Sequence, residues 1–161
     1  MGIEIERKFI ARAEELPPAL LSTQLSQGYV DPEAASVRVR ISGDACFLTI
    51  KGAVSGMSRL EYEFQIPMEQ GRELLERLCR RPVIEKTRSL IDHGNHRWEV
   101  DVFAGDNKGL VIAEVELDDE DEQVEIPHWI EREVTHDRKY SNAALARHPF
   151  SQWTEEERNA K

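Results

Sequence analysis

Pairs of like charges, spaced two residues apart, constrain this chain more than any other feature. They occur in Glu4-Ile5-Glu6, Arg38-Val39-Arg40, Glu61-Tyr62-Glu63, Lys86-Thr87-Arg88 and Glu114-Val115-Glu116. Two is the period of a β-strand, whose successive side chains point to opposite faces. Like charges two apart on one face repel, so five such pairs on separate segments require opposite charge between them.

The neighbouring residues extend the pattern. Thr49 and Lys51 oppose Cys46, Leu48 and Ile50; Arg97, Glu99 and Asp101 oppose Trp98, Val100 and Val102. Strand-like composition marks Glu4–Ile10, Ser36–Ser42, Cys46–Lys51, Arg59–Ile66, Val83–Asp92, His96–Phe103 and Gly109–Leu117, with Gln27–Val30 as a short eighth. Glycine-centred turns at Ser42-Gly43-Asp44, His93-Gly94-Asn95 and Gly105-Asp106-Asn107 join neighbours as hairpins. The expected fold is mainly β (α+β), a closed eight-stranded antiparallel β-barrel with helices packed outside. Those helices are expected over Pro17–Ser26, Met68–Arg81, Ser141–Arg147 and Ser151–Asn159. One domain over residues 1–161, with a helical C-terminal segment at about 140–159, is the simplest organisation.

Composition removes several functions. The 31 acids outnumber the 21 Lys and Arg for a net charge of −10, which argues against a nucleic-acid surface. No apolar run approaches the roughly 20 residues needed to span a bilayer, and the N-terminus does not read as a secretory signal. Cys46 and Cys79 lack metal-ligand spacing, as expected of a reduced, cytoplasmic protein. The acidic run from Asp118 to Glu122 reads as a solvated connection.

A barrel with its charged face inward explains the pairs. Its lumen would carry Lys8, Arg38, Arg40, Lys51, Lys86 and Arg88 together with Glu4, Glu6, Glu61, Glu63, Glu114 and Glu116. So many charges in a confined volume need a wet interior and complementary ligands. The cations suit a polyanion, with arginine matched to phosphate oxygens. The carboxylates suit hard divalent cations, Mg2+ or Mn2+. The site inferred from the residues binds a phosphate chain with metal.

At this point the chain resembles the CYTH-domain family, the triphosphate tunnel metalloenzymes. Glu4-Ile5-Glu6-Arg7-Lys8 matches the family's Glu-x-Glu-x-Lys signature. The match continues through Arg38-x-Arg40, Thr49-x-Lys51, Glu61-x-Glu63, Lys86-x-Arg88, Glu99-x-Asp101 and Glu114-x-Glu116, over roughly residues 2–147. The resemblance implies an eight-stranded antiparallel tunnel that uses one or two Mg2+ or Mn2+ ions on triphosphates. The short form resembles the bacterial tripolyphosphatase-type members most, which implies hydrolysis of tripolyphosphate to pyrophosphate and phosphate. Alternatives are class IV-type adenylate cyclase, thiamine or nucleoside triphosphatase, and, from another class, a non-catalytic polyphosphate- or nucleotide-binding module.

Phosphoryl transfer is catalysed mainly by positioning and charge neutralisation. Lys8, Arg38, Arg40, Lys51, Lys86 and Arg88 are expected to hold the triphosphate, with Lys8, Lys86 and Arg88 closest to the chemistry. Glu4, Glu6, Glu61, Glu63, Glu114 and Glu116 are expected to hold metal. Lys86 is either a proton carrier, if neighbouring cations depress its pKa, or a fixed charge. Glu99 and Asp101 either orient the cations or touch metal. His93 and His96 make a poor metal pair across their turn. Trp129 reads as a packing anchor near the C-terminal helix, and Lys139-Tyr140-Ser141-Asn142 resembles the family's C-terminal segment, which plugs or lids the tunnel.

Overall fold

The computed structural model describes residues 5–30, 35–52, 61–118 and 122–159. Glu4 lies outside them, and the side chain of Lys51 is likewise outside what is described. The strands are β1 Ile5–Ala11, β2 Leu21–Val30, β3 Ala35–Ser42, β4 Ala45–Gly52, β5 Glu61–Ile66, β6 Ile84–His93, β7 His96–Phe103, β8 Val111–Leu117 and β9 Ile130–Glu133. Helix α1 is Met68–Arg77, α2 is Asn142–Leu145 and α3 is Glu155–Asn159.

The strands form one antiparallel sheet of nine, in the order β5-β4-β3-β2-β6-β7-β8-β1-β9. This corrects the expectation of a closed eight-stranded barrel: the described sheet is open, with β5 and β9 at its edges. The second edge of β1 is taken by β9, through Phe9↔Glu133 and Ile10↔Arg132. The hairpin between β6 and β7 turns on Gly94, whose φ of 59° is a left-handed conformation that costs glycine little.

A second correction concerns Pro17–Ser26. Much of this segment is strand β2, paired along its length with β6 from Leu21↔Leu90 to Gln27↔Ile84 and with β3 from Leu25↔Ser42 to Val30↔Val37. Its Ser and Thr residues are indifferent helix formers, and two flanking ladders satisfy the backbone on both sides. Leu20 and Leu21, which suggested a helical apolar side, are exposed. Helix α1 ends at Arg77, short of the expected Arg81; Pro82 discourages helix in the residue before it. The expected helix over Ser151–Asn159 resolves into a 3-10 turn, Phe150–Gln152, and α3. A reciprocal cap precedes α3: Thr154 N donates to Glu157 Oε2 (2.8 Å) and Glu157 N to Thr154 Oγ1 (3.2 Å).

Two apolar clusters cover the outer face. Phe9, Trp98, Val100, Ala113, Val115 and Trp129 form one, in which Trp98 meets Trp129 edge-on at 5.5 Å. Trp129 is thus a packing anchor, but on this outer face and not beside the C-terminal helices. Under α1, Val39, Cys46, Leu75 and Cys79 form the other. There Gly71 lets the helix sit directly on β4: a Cβ at this position would stand 2.1 Å from Cys46 Sγ.

A third cluster closes one end of the inner face. Ile84, Phe103 and Ile112 meet Tyr140, Leu145 and Trp153 of the C-terminal segment, with Ile10 and Tyr29 packed against them. The C-terminal segment therefore sits as a plug at that end.

Candidate functional site

Strand register gathers the charged residues on one face. Lys8 stands opposite Glu114 and Glu6 opposite Glu116 across β1 and β8; Glu114 stands opposite Glu99, and Arg88 opposite Asp101. On the other half of the sheet Arg38 stands opposite Thr49, which in turn faces Glu63, and Lys51 faces Glu61. The face is concave. Tyr29 on β2 feels the charge of Lys8 on β1, four strands away, and Arg40 on β3 feels Arg88 and Glu99.

The most buried part of the site is built on Asp101. Its carboxylate accepts from Lys86 Nζ at 2.5 Å and from Arg88 Nε and Nη2, both at 2.7 Å. Burial pushes the Asp101 carboxyl up, but the Arg88 and Lys86 hydrogen bonds and charges outweigh this and hold it below the usual carboxylate range. Arg88 also contacts Glu99, and reaches Glu114 Oε2 at 3.2 Å. Burial would lower its pKa, yet these carboxylates carry it above the usual arginine value. Asp101 and Glu99 therefore orient cations in this structure.

Lys86 differs from Arg88. Burial lowers its pKa, Asp101 opposes the shift, Arg88 reinforces it, and the net direction is down. Its Nζ also donates to Asn142 Oδ1 at 3.3 Å. For Lys8, burial pulls down, while Glu114 at 2.7 Å and Glu6 at 3.4 Å overcome it, and its pKa is raised.

Arginine and carboxylate also meet on the far half of the face. Glu63 Oε2 accepts from Thr49 Oγ1 at 2.9 Å, Arg38 Nη2 at 3.4 Å and Arg40 Nη2 at 3.5 Å. The Nε atoms of Arg38 and Arg40 are buried, with no partner among the described residues. Burial, with Arg38 nearby, lowers the pKa of Arg40.

The six expected metal-binding carboxylates do not form one group. Glu4 is outside the described residues. Glu6, Glu114 and Glu116 lie on adjacent β1 and β8, whereas Glu61 and Glu63 lie on edge strand β5. Among the described residues, no three His, Cys, Asp or Glu side chains are close enough to form a metal cluster. A cleft of about 620 Å3 is lined by Glu6, Glu99, Glu114, Glu116, Asp118 and Glu122. Part of the acidic run folds back there: Glu122 accepts from the Asp118 amide at 2.8 Å and meets His96 Nε2 at 2.8 Å.

Lys139 points elsewhere, donating to the Glu157 carbonyl at 2.6 Å. Two inward residues were not singled out from sequence. Gln27 is buried and donates to the Tyr29 hydroxyl at 3.2 Å. Burial raises the Tyr29 pKa against the opposing pull of Arg38, Lys8 and Arg40. Reading Leu21–Val30 as one strand would have placed both on the face of Arg38 and Arg40, their register partners.

Fold and face together define an antiparallel-sheet protein with a concave charged surface and an apolar plug at one end. The chain belongs to the CYTH domain family, whose model matches residues 2–147. It is 46% identical over 156 residues to an inorganic triphosphatase from Acetivibrio thermocellus, covering 96% of this chain and all of that one. It is 39% identical to an inorganic triphosphatase from Nitrosomonas europaea, over 89% of this chain and 96% of that one. A crystal structure of an inorganic triphosphatase superposes with a TM-score of 0.74 at 36% identity, covering 91% of this chain and 95% of that chain.

Proposed function

We propose that this protein hydrolyses inorganic tripolyphosphate to pyrophosphate and phosphate in the presence of Mg2+ or Mn2+. The observation that carries the reading is the pair of buried, unpartnered Nε–H groups on Arg38 and Arg40, held by Glu63 on a face that also carries Lys8, Lys86 and Arg88. Donors left unpaired at this depth are costly, and phosphate oxygens satisfy an arginine fork. The full-length inorganic triphosphatase relatives agree with it.

In this reading Arg38, Arg40 and Lys51 hold one part of the phosphate chain, and Lys8, Lys86 and Arg88 the part nearest the reaction. Water attacks a terminal phosphorus, the P–O–P bond breaks, and its bridging oxygen leaves on pyrophosphate. The cations offset negative charge on the transferred group. Lys86, its pKa lowered, is the residue suited to take a proton from the water.

The carboxylates fit a hard divalent cation. Glu6 and Glu116 oppose each other in register, Glu114 is two residues along on the same face, and all offer oxygen donors. Glu4 completes the group by sequence, and Glu63 would serve a second ion only by leaving Arg38 and Arg40. A bound ion supplies charge neutralisation at phosphate oxygens and activation of water.

The test is turnover of tripolyphosphate, ATP and thiamine triphosphate with either metal, following phosphate, pyrophosphate and cyclic AMP. Phosphate and pyrophosphate from tripolyphosphate support the reading. Cyclic AMP from ATP, or binding without turnover, would replace it.

A further inference from the structure

Lys86 on β6 is a buried inward cation that reaches the C-terminal plug by a hydrogen bond. Its side chain is 1% exposed, and its Nζ has two acceptors there: Asp101 Oδ2 on β7 and Asn142 Oδ1 on α2. An ammonium has three N–H directions and a neutral amine two, with a lone pair in the third. Two fixed acceptors therefore fix the third direction, whichever state is present.

Asn142 is itself held firmly. The Ser141 hydroxyl accepts from the Ala144 amide at 3.2 Å and caps α2; Leu145 is fully buried, and Tyr140 packs edge-on against Trp153. A short helix with these anchors brings one neutral acceptor to a buried lysine without adding charge. The charged groups facing Lys86 are Asp101 on β7, Glu114 on β8 and Arg88 on its own strand, with the Phe103 ring 5.4 Å away.

We propose that Asn142 is a positioning residue for Lys86: with Asp101 it occupies two of the amine's three directions, so that the third alone meets the reacting phosphate or its attacking water. A neutral amide keeps the lysine poised, whereas a carboxylate there would lock it charged. The proposal deepens the triphosphatase reading and rests on it for the reaction, though the contact itself can be tested without substrate.

The test uses the full chain with Asn142→Ala and Asn142→Asp, read by NMR titration of the Lys86 side-chain amine and by the kcat, KM and pH profile on tripolyphosphate with Mg2+. Asn142→Ala should lower kcat about tenfold, the scale of one hydrogen bond to a charged group, with KM changed less than about twofold. Asn142→Asp should raise the Lys86 midpoint and move the Lys86-dependent limb of the pH profile upward, since an opposite charge favours the ammonium. Leu75→Ala opens a cavity under α1, on the outer face away from Lys86, and should lower the melting temperature while leaving that midpoint in place. Unchanged Lys86 midpoints in both Asn142 variants, or a shift with Leu75→Ala equal to theirs, would overturn the proposal. If the midpoints move but the parent protein turns over no triphosphate, the positioning contact stands and the triphosphatase reading fails.

Discussion

Lys86 Nζ donates to Asp101 Oδ2 at 2.5 Å, with side chains 1% and 2% exposed, and the same carboxylate accepts two further hydrogen bonds from Arg88 at 2.7 Å. One buried acid thus sets the orientation of both residues of the Lys-x-Arg pair. Removing a partner from such an arrangement costs more than the arrangement contributes, because buried charge is left uncompensated.

Asp101→Asn should therefore destabilise the protein by about 3 kcal/mol, read from urea unfolding near neutral pH. The carboxyl's pKa is depressed in the folded state, so its stabilisation is present above the unfolded value and is lost as pH falls through the folded one. The stability gap between parent and variant should accordingly shrink in acid below the ordinary carboxylate range. A constant gap down to pH 2 would contradict the depressed value.

Arg38→Lys and Arg40→Lys keep the charge and remove the unpartnered Nε–H. Each should lower kcat/KM for tripolyphosphate by about tenfold to a hundredfold, the range of a hydrogen bond to a charged group. Steady-state kinetics at fixed ionic strength checks this. Parent-like values would mean that charge alone suffices at these positions.

Glu116→Gln leaves the shape of the β1–β8 pair and removes one anionic oxygen donor opposite Glu6. Turnover at metal concentrations that saturate the parent protein should be abolished. A titration with Mg2+ and Mn2+, begun from protein stripped by a chelator, reads the change. Unaltered activity and metal dependence would remove Glu116 from the metal-binding set.

Gly71→Ala tests the seating of α1, because the new methyl would meet Cys46 Sγ at 2.1 Å. Overpacking of this kind costs about 1–3 kcal/mol. Combining it with Cys46→Ala should restore much of the loss, giving a clear non-additivity in thermal melts. Activity per folded molecule should hold, since α1 packs on the face opposite the charges.

Much of the inner face was legible because strand parity is strict: once Lys86, Arg88, Glu114 and Glu116 are assigned to strands, their common side follows. Residues 17–26 were misread because their leucines matched a helical spacing, while the two ladders that hold β2 are formed with residues far away in sequence. Strand β9 was missed because four residues carry too little periodicity; its place is set by β1. The engagement of Glu63 with two arginines, and of Lys86 with Asn142, depends on side-chain geometry across strands and a plug that no local pattern encodes.

The most direct test is phosphorus NMR of tripolyphosphate incubated with this protein and Mg2+. The two tripolyphosphate resonances should give way to pyrophosphate and phosphate in equal amounts, and Arg40→Ala should slow their loss. Resonances that persist unchanged with either Mg2+ or Mn2+ would contradict the triphosphatase reading.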